Sequence, residues 1–432
     1  MDFARSDDPR VQAQLDRLNA LSLATGRINL DCMTALMDRL GNPQDRLPPV
    51  FHVAGTNGKG SVCAFLRAML EAQGYKVHVT TSPHLVRYNE RIRIAGELIS
   101  DALLAELLKE VFDAADGLSP SFFEVTIAVA FLAFSRESAD ACLVEVGLGG
   151  RLDATNVLKP HALAACGIAA LGIDHEKFLL APEEGVPKEP MARIAFEKAG
   201  IAKEGVPLVT MGDRHADIAR SAIETVAENV GAPVIQGYKN ISVCDGFAIY
   251  TEDYEHEFNL SPVLKGQHQL HNFALAEAML RSQNKLSISQ EAIVAAAGSV
   301  HWPARMQLLS EGPLTALTSS QQIWLDGGHN AGAGEAIAEA IDGPVHLVIG
   351  MLDNKDPRAL LDPLGDRVRS LSIVPVPGHD CHPPKAFGAN ARAASDLEDA
   401  LLNIPSDDYP ILIAGSLYLA GEALKLNDEI PD

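Results

Sequence analysis

The chain has 432 residues, 47% hydrophobic and 21% charged, which suits two or three domains of about 150 residues with ample core. Acidic residues outnumber basic ones 57 to 35, a formal charge of −22, and no local basic patch offsets it, so nucleic acid is excluded as a partner. No apolar run reaches the roughly 18 residues of a membrane span, and the opening MDFARSDDPRVQAQLDRL has no secretory core, so neither membrane nor export is expected.

The six cysteines, Cys32, Cys63, Cys142, Cys166, Cys244 and Cys381, are scattered with no C-x-x-C pair. That dispersal predicts reduced thiols in the cytoplasm, with no disulfide frame and no zinc site.

In chain order, residues 9 to 24 have helical spacing, with Val11, Leu15, Leu18 and Leu21 on one face. Residues 49–54, PVFHVA, read as a buried strand running into Gly55. A helix follows with Val62, Phe65, Leu66, Met69 and Leu70 as its apolar positions, ended by Gly74. A strand at 76–81 completes a strand–loop–helix–strand unit, the building block of a parallel sheet flanked by helices. A helix is expected over 122–135, and further strands at 141–146, 162–168 and 206–210. After Trp302-Pro303 a second alternation begins, with strands at 322–326, 345–349, 370–374 and 410–414. No low-complexity tract or short repeat interrupts it.

The run Gly55-Thr56-Asn57-Gly58-Lys59-Gly60-Ser61 joins a strand to a helix. Glycines let backbone N–H groups approach a phosphate, the helix N-terminus favours its charge, and Lys59 would reach the outer phosphates. It is not a strict Walker sequence: Val53 stands five before Gly58, and Gly60 separates Lys59 from Ser61. The fold class expected is therefore α/β. An N-terminal P-loop ATPase-like domain with a parallel sheet (1–300) precedes a smaller C-terminal Rossmann-like α/β domain (301–432). Glu145 ends the strand ACLVEV before Gly147-Leu148-Gly149-Gly150. There it is either a magnesium ligand beside a loop-bound nucleotide or a solvated strand-end charge.

Ten segments in order carry a wider resemblance: GTNGKGS (55–61), TSPHLVRYNERIRI (81–94), SFFEVT (121–126), EVGLGGRLDATN (145–156), LGIDH (171–175), EKAGI (197–201), GQHQLHN (266–272), WPARMQ (302–307), LDGGHN (325–330) and AGSLYLAGE (414–422). Over nearly its whole length the chain resembles bacterial folylpolyglutamate synthase, often bifunctional with dihydrofolate synthase, in the Mur-ligase-like superfamily.

The resemblance implies ATP and magnesium, with Ser82, Glu145 and His175 around the metal. It also implies a carbamylated Lys198, whose anionic group would suit a second magnesium ion. From the second domain it implies Asn272 near the adenine, Arg305 near the phosphates, Asp326 at the ribose and His329 at the reacting phosphate. Ser416 is a conformational or substrate-linked position. Arg91 and Asp153 match positions used around glutamate and folate, although Asp153 would equally cap Ala154-Thr155. Phe122 and Phe123 are either walls for a flat pterin or core packing.

The activity implied is ATP-dependent addition of L-glutamate to dihydropteroate, and to tetrahydrofolate or its polyglutamates, through an acyl phosphate. The alternatives are one of these two activities alone or a Mur-type ligase acting on a UDP-muramyl acid. A monomer is expected. The chain departs from the family in three places. The segment between His175 and Lys198 is long and rich in proline and acid, which puts the second metal position in question. Gly328 and Ala331 replace the usual neighbours in LDGGHN, and Ala304 stands where glycine is common.

Overall fold

A computed structural model describes residues 6, 8–21, 29–237, 241–244, 247–252, 256–260, 263–318 and 321–432, with the backbone alone over 241–260. Residues 22–24 of the first expected helix, and the Cys244 side chain, lie outside the described residues. That helix runs Pro9–Asn19, started by Asp8, whose carboxylate accepts from the Arg10 and Val11 amides. Val11, Leu15 and Leu18 are fully buried along one face.

The first sheet has eight strands: β1 (Val50–Ala54), β2 (Val77–Thr80), β3 (Ile92–Ile94), β4 (Glu97–Leu98), β5 (Ala141–Glu145), β6 (Leu163–Ile168), β7 (Leu208–Thr210) and β8 (Val234–Gln236). Their order is β4-β3-β2-β5-β1-β6-β7-β8. From β2 to β8 the pairing is parallel, while β3 and β4 add antiparallel at the edge. β1 lies near the centre and every residue in it is buried, which is why PVFHVA reads as an unbroken apolar run instead of an alternation. Val50 and Ala54 enter the core on one face, Phe51 and Val53 the core on the other. The helix Lys59–Ala72 covers the second face, with Phe65 edge-on to Phe273 at 5.4 Å.

Strands β9 (Ile241–Cys244), β10 (Phe247–Glu252) and β11 (His256–Leu260) form an antiparallel sheet of their own. A third sheet comprises β12 (Gln307–Leu308), β13 (Ile323–Leu325), β14 (Val345–Ile349), β15 (Val368–Ile373), β16 (Arg392–Ala393) and β17 (Ile411–Ala414). Its order is β12-β13-β17-β14-β15-β16, parallel except for β12. The short strands β3, β4, β12 and β16 escape the sequence pattern, because two or three residues are too few to show a period, and the β9–β11 meander was missed as well. For the meander a signal did exist: Asp245-Gly246 separates two alternating runs.

Among the described residues no helix is long and apolar enough to cross a membrane. Five cysteines are free: Cys63, Cys142 and Cys166 are buried, Cys32 and Cys381 half-buried.

Candidate active site

The site grows from the carboxyl ends of the central strands. Beyond Ala54 the backbone turns through Gly55 and then Gly58, which has φ +83. A Cβ at Gly58 would run into Asn272 Oδ1, so both its conformation and its contact require glycine. The Thr56 and Asn57 amides are already used, donating to the Ala170 carbonyl at 2.8 and 3.1 Å. Thr56 Oγ1 is tied to Gly172 in both directions. The phosphate-facing donors are therefore those from Gly58 onward, where the helix Lys59–Ala72 starts with no side-chain cap. Uncapped first-turn N–H groups and the helix dipole favour an anion there. Ser61 Oγ, in that same first turn, is buried without a hydrogen-bond partner, an orphan that a phosphate oxygen or a metal ion would satisfy.

Glu145 ends β5 in register with Val53 of β1. Its Oε2 accepts from the Ser82 amide at 3.1 Å, and its Oε1 lies 3.9 Å from Lys59 Nζ. Burial pushes this carboxyl up, while Lys59 and the Ser82 N–H pull it back toward the ionised form. The Ser82 loop is shaped by Glu90, which accepts from the Leu85, Val86 and Arg87 amides at 2.6 to 2.9 Å. Lys198 reaches in from the helix Pro190–Ala199 and donates to the Gly55 carbonyl at 2.9 Å. It is 4% exposed. Burial, with Lys59 nearby, lowers its amine to about 7, the neutral form that can add carbon dioxide. His175 sits in a left-handed conformation at the start of a short helix, and burial lowers it to about 4, leaving a neutral imidazole.

Gly55, Thr56, Lys59, Asp174, His175 and Lys198 line a cavity of about 20 Å³. That is room for one water-sized group or ion, not for a nucleotide. Among the described residues, no three His, Cys, Asp or Glu side chains are grouped to hold a metal by themselves. The buried Glu145 carboxylate and the orphaned Ser61 hydroxyl are oxygen donors of the kind a nucleotide-bound magnesium takes beside water and phosphate oxygens.

The third sheet closes over this floor. Asn57 and Asn330 exchange amide hydrogen bonds at 3.1 and 3.0 Å, and Asn330 also caps the helix Ala331–Ala340. Asp174 binds Lys355 at 2.5 Å and lies 3.8 Å from His329 Nε2. Burial alone would raise the Asp174 carboxyl, but His329, His175 and Lys355 together hold it far below the usual range. Asn272 is buried against Gly58 and donates to Gln269. Arg305 is half-buried, donates to its neighbour's carbonyl at 2.8 Å, and lies near enough to Glu145 to favour its charge.

The structure thus gathers Lys59, Ser61, Ser82, Glu145, His175, Lys198 and Asn272 around the loop, with Arg305 and His329 on the closing side. Asn272 belongs to the helix Gln267–Arg281, which packs on the first sheet and not in the second domain as the sequence suggested. The remaining sequence-predicted residues are held by neighbouring protein groups, with Arg91 and Asp153 still near enough to bias the charge on Glu145 and Lys198. Asp326 spends both oxygens on the Met306 and Gly328 amides, and Ser416 caps the helix Leu417–Leu426. Asp153 accepts from the Leu148 and Thr155 amides and the Thr155 hydroxyl. Arg91 is fully buried, bonded to His84 Nδ1 at 2.9 Å and stacked near Tyr88 and Phe122. The Phe123 ring rests on Gly147, where a Cβ would strike it. Sequence reasoning missed Asp174 and Lys355. The first sat inside the LGIDH segment already quoted; the second had no motif to announce it.

No family model matches the chain. It is 34% identical to the dihydrofolate synthase/folylpolyglutamate synthase of Bacillus subtilis, over 91% of this chain and 93% of that one. Among solved structures, Escherichia coli FolC in complex with DHPP and ADP matches with TM-score 0.81 and 30% identity, over 97% of both chains. A bifunctional folylpolyglutamate synthase/dihydrofolate synthase with Mn, AMPPNP and L-glutamate bound matches with TM-score 0.79 and 27% identity, over 96% of this chain and 97% of that one.

Proposed function

The chain belongs to the dihydrofolate synthase/folylpolyglutamate synthase family, and from that premise we propose how its own residues perform the reaction. It is an ADP-forming ligase that uses ATP and a divalent metal to add L-glutamate to dihydropteroate and to reduced folates. The observation that carries the reading for this chain is the loop floor. An uncapped helix start, an orphaned Ser61 hydroxyl and Lys59 converge within reach of buried Glu145.

A carboxylate is a poor electrophile, so the acceptor acid is first converted to an acyl phosphate, which the glutamate amine then attacks with loss of phosphate. Backbone amides from Gly58 to Ser61 and the Lys59 ammonium hold the phosphates and stabilise charge on the transferring group, where electrostatic positioning does most of the catalytic work. Magnesium, when bound, neutralises phosphate charge. Ser61, Ser82, Glu145 and His175 are the residues suited to hold it, and Lys198, if carbamylated, a second ion. Arg305 and His329 complete the charge clamp when the two sheets close, and Asn272 packs where the loop would present the base. For Asp153, Asp326 and Ser416 we assign a framing role, each carboxylate or hydroxyl being spent on backbone amides. Arg91, Phe122 and Phe123 form a wall beside the Ser82 loop.

We place the division between the two halves near residue 300, because Val300 packs in the core of the first sheet and Ala304 in that of the third. A cytoplasmic setting is our reading, supported by the free cysteines, and we take the chain to act as a monomer.

The test is ADP release with L-glutamate plus dihydropteroate, tetrahydrofolate or a UDP-muramyl acid. Turnover with the first two is expected. Turnover with the UDP-muramyl acid alone would move the chain to the cell-wall ligases, and turnover with one pterin acceptor would reduce the proposal to a single activity.

A further inference from the structure

The long segment between His175 and Lys198 puts the lysine in question at the level of sequence, yet the structure delivers Lys198 to the Gly55 carbonyl. What holds it there is a square of charge. Glu197 precedes Lys198 and projects about 100° away around the helix, toward Arg151 and Arg193. Its Oε2 accepts from Arg151 Nε at 3.1 Å and its Oε1 from Arg151 Nη2 at 2.9 Å, and Arg193 Nη2 is ion-paired with that Oε1 at 3.0 Å. Glu183, from the long segment itself, closes the square: its Oε2 meets Arg151 Nη2 at 2.7 Å and Arg193 Nη2 at 2.8 Å. Arg193, Glu197 and Glu183 are 6%, 6% and 13% exposed at the side chain. Without Glu183, two guanidinium groups would share one buried carboxylate.

The square sits on a backbone weld. The Arg151 amide donates to the Glu197 carbonyl at 2.7 Å. Asn156 Nδ2 bridges the Arg151 and Gly200 carbonyls at 2.9 and 3.0 Å. A Cβ at Gly150 would lie 2.8 Å from the Glu197 carbonyl oxygen, and one at Gly200 would strike Arg151. The loop after β5, which carries Glu145 at its start, is thereby joined to the helix end that carries Lys198.

We propose that Glu183 is a positioning residue: through Arg151 and Arg193 it locks Glu197 and so holds Lys198 against the phosphate loop. The segment that departs from the family pattern supplies its own carboxylate to fix the lysine it displaces in sequence. The inference rests on Lys198 being a site residue, as read above.

The experiment compares wild type, E183Q and E183D by limited amine labelling at pH 8 in bicarbonate-free buffer, read by peptide mass spectrometry. Exposed Lys109 is the internal standard. Lys203 is bonded to Asn156 of the weld, so the control for general loosening is half-buried Lys265, seated over the Trp324 ring far from the square. In E183Q, Lys198 labelling is expected to rise about fivefold with Lys265 unchanged, while kcat for ADP release falls about tenfold and the KM for ATP stays within about threefold. E183D should lie between. Lys198 labelling equal to wild type in E183Q, or rising only in step with Lys265, overturns the proposal. If E183Q does not fold, the same criterion is read in E183D. Absence of glutamate ligation in wild type would defeat the functional reading and leave the labelling result to judge the clamp.

Discussion

The two sides of the cleft are built differently. On the first-sheet side the charged groups are buried and held by many partners: Lys198 on Gly55, Glu145 on Ser82 and Lys59, Glu197 in the charge square. On the third-sheet side Arg305 and His329 are half-buried and bond mainly to nearby backbone. The contacts between the sides are polar and apolar together: Asn57 pairs with Asn330 and Asp174 with Lys355 and His329, while Leu85 and Val86 of the Ser82 loop pack on the third-sheet core and Lys265 covers Trp324. A preformed floor, met by a lid whose links at the phosphate loop itself are polar, suits an enzyme that must open to exchange nucleotide and close to exclude water.

Lys59→Ala would test the floor most severely. Removing a charge aimed at the transferring phosphate should lower kcat by roughly 100- to 1000-fold, with little change in Tm, as followed by ADP release and calorimetry. Asp174→Asn removes the carboxylate that links floor and lid. A fall in kcat of about tenfold is expected, together with faster amide hydrogen exchange on both sides of the cleft. Unchanged exchange would mean that Asp174 does not pin the lid.

Gly58→Ala strains a positive φ and crowds Asn272. A stability loss of about 1–3 kcal/mol in urea unfolding is expected, with a raised KM for ATP.

The floor also has a pH signature. His52 in β1 is fully buried against Thr155, and burial lowers it from 6.5 to about 3. The unfolded chain therefore binds the proton that the folded chain refuses. Stability from this group is complete above pH 6.5 and is lost as pH falls from 6.5 toward 3. At pH 5 the loss is about 2 kcal/mol, and His52→Gln should flatten the acid limb of the stability curve. Asn330→Ala, the gentlest change, removes one cap and one cross-cleft pair and should cost about 1 kcal/mol.

Much of the floor was legible in the sequence because it is local. Gly55 to Ser61 follow one strand and open one helix, so spacing pointed them at a phosphate, while the strand-end position of Glu145 left a metal ligand and a solvated charge both open. The lid links were not legible, since Asp174 and Lys355 are 181 residues apart and only the folded chain makes them neighbours. Arg91 and Asp153 were legible only in part. Their motifs matched substrate positions and left a loop cap open for Asp153; the cap on the Thr155 turn and the bond from Arg91 to His84 appear in the folded chain. A motif identifies a residue type at a position; the direction of its side chain is set by packing. Glu183 escaped because its segment looked like a surface excursion of proline and acid, and the pairing with Arg151 and Arg193 required the third dimension.

The most direct test of ligation through an acyl phosphate is to supply dihydropteroate labelled with oxygen-18 in its carboxylate, together with ATP, magnesium and L-glutamate. One labelled oxygen is expected in the phosphate released with each amide bond formed. Amide formation with unlabelled phosphate would contradict it.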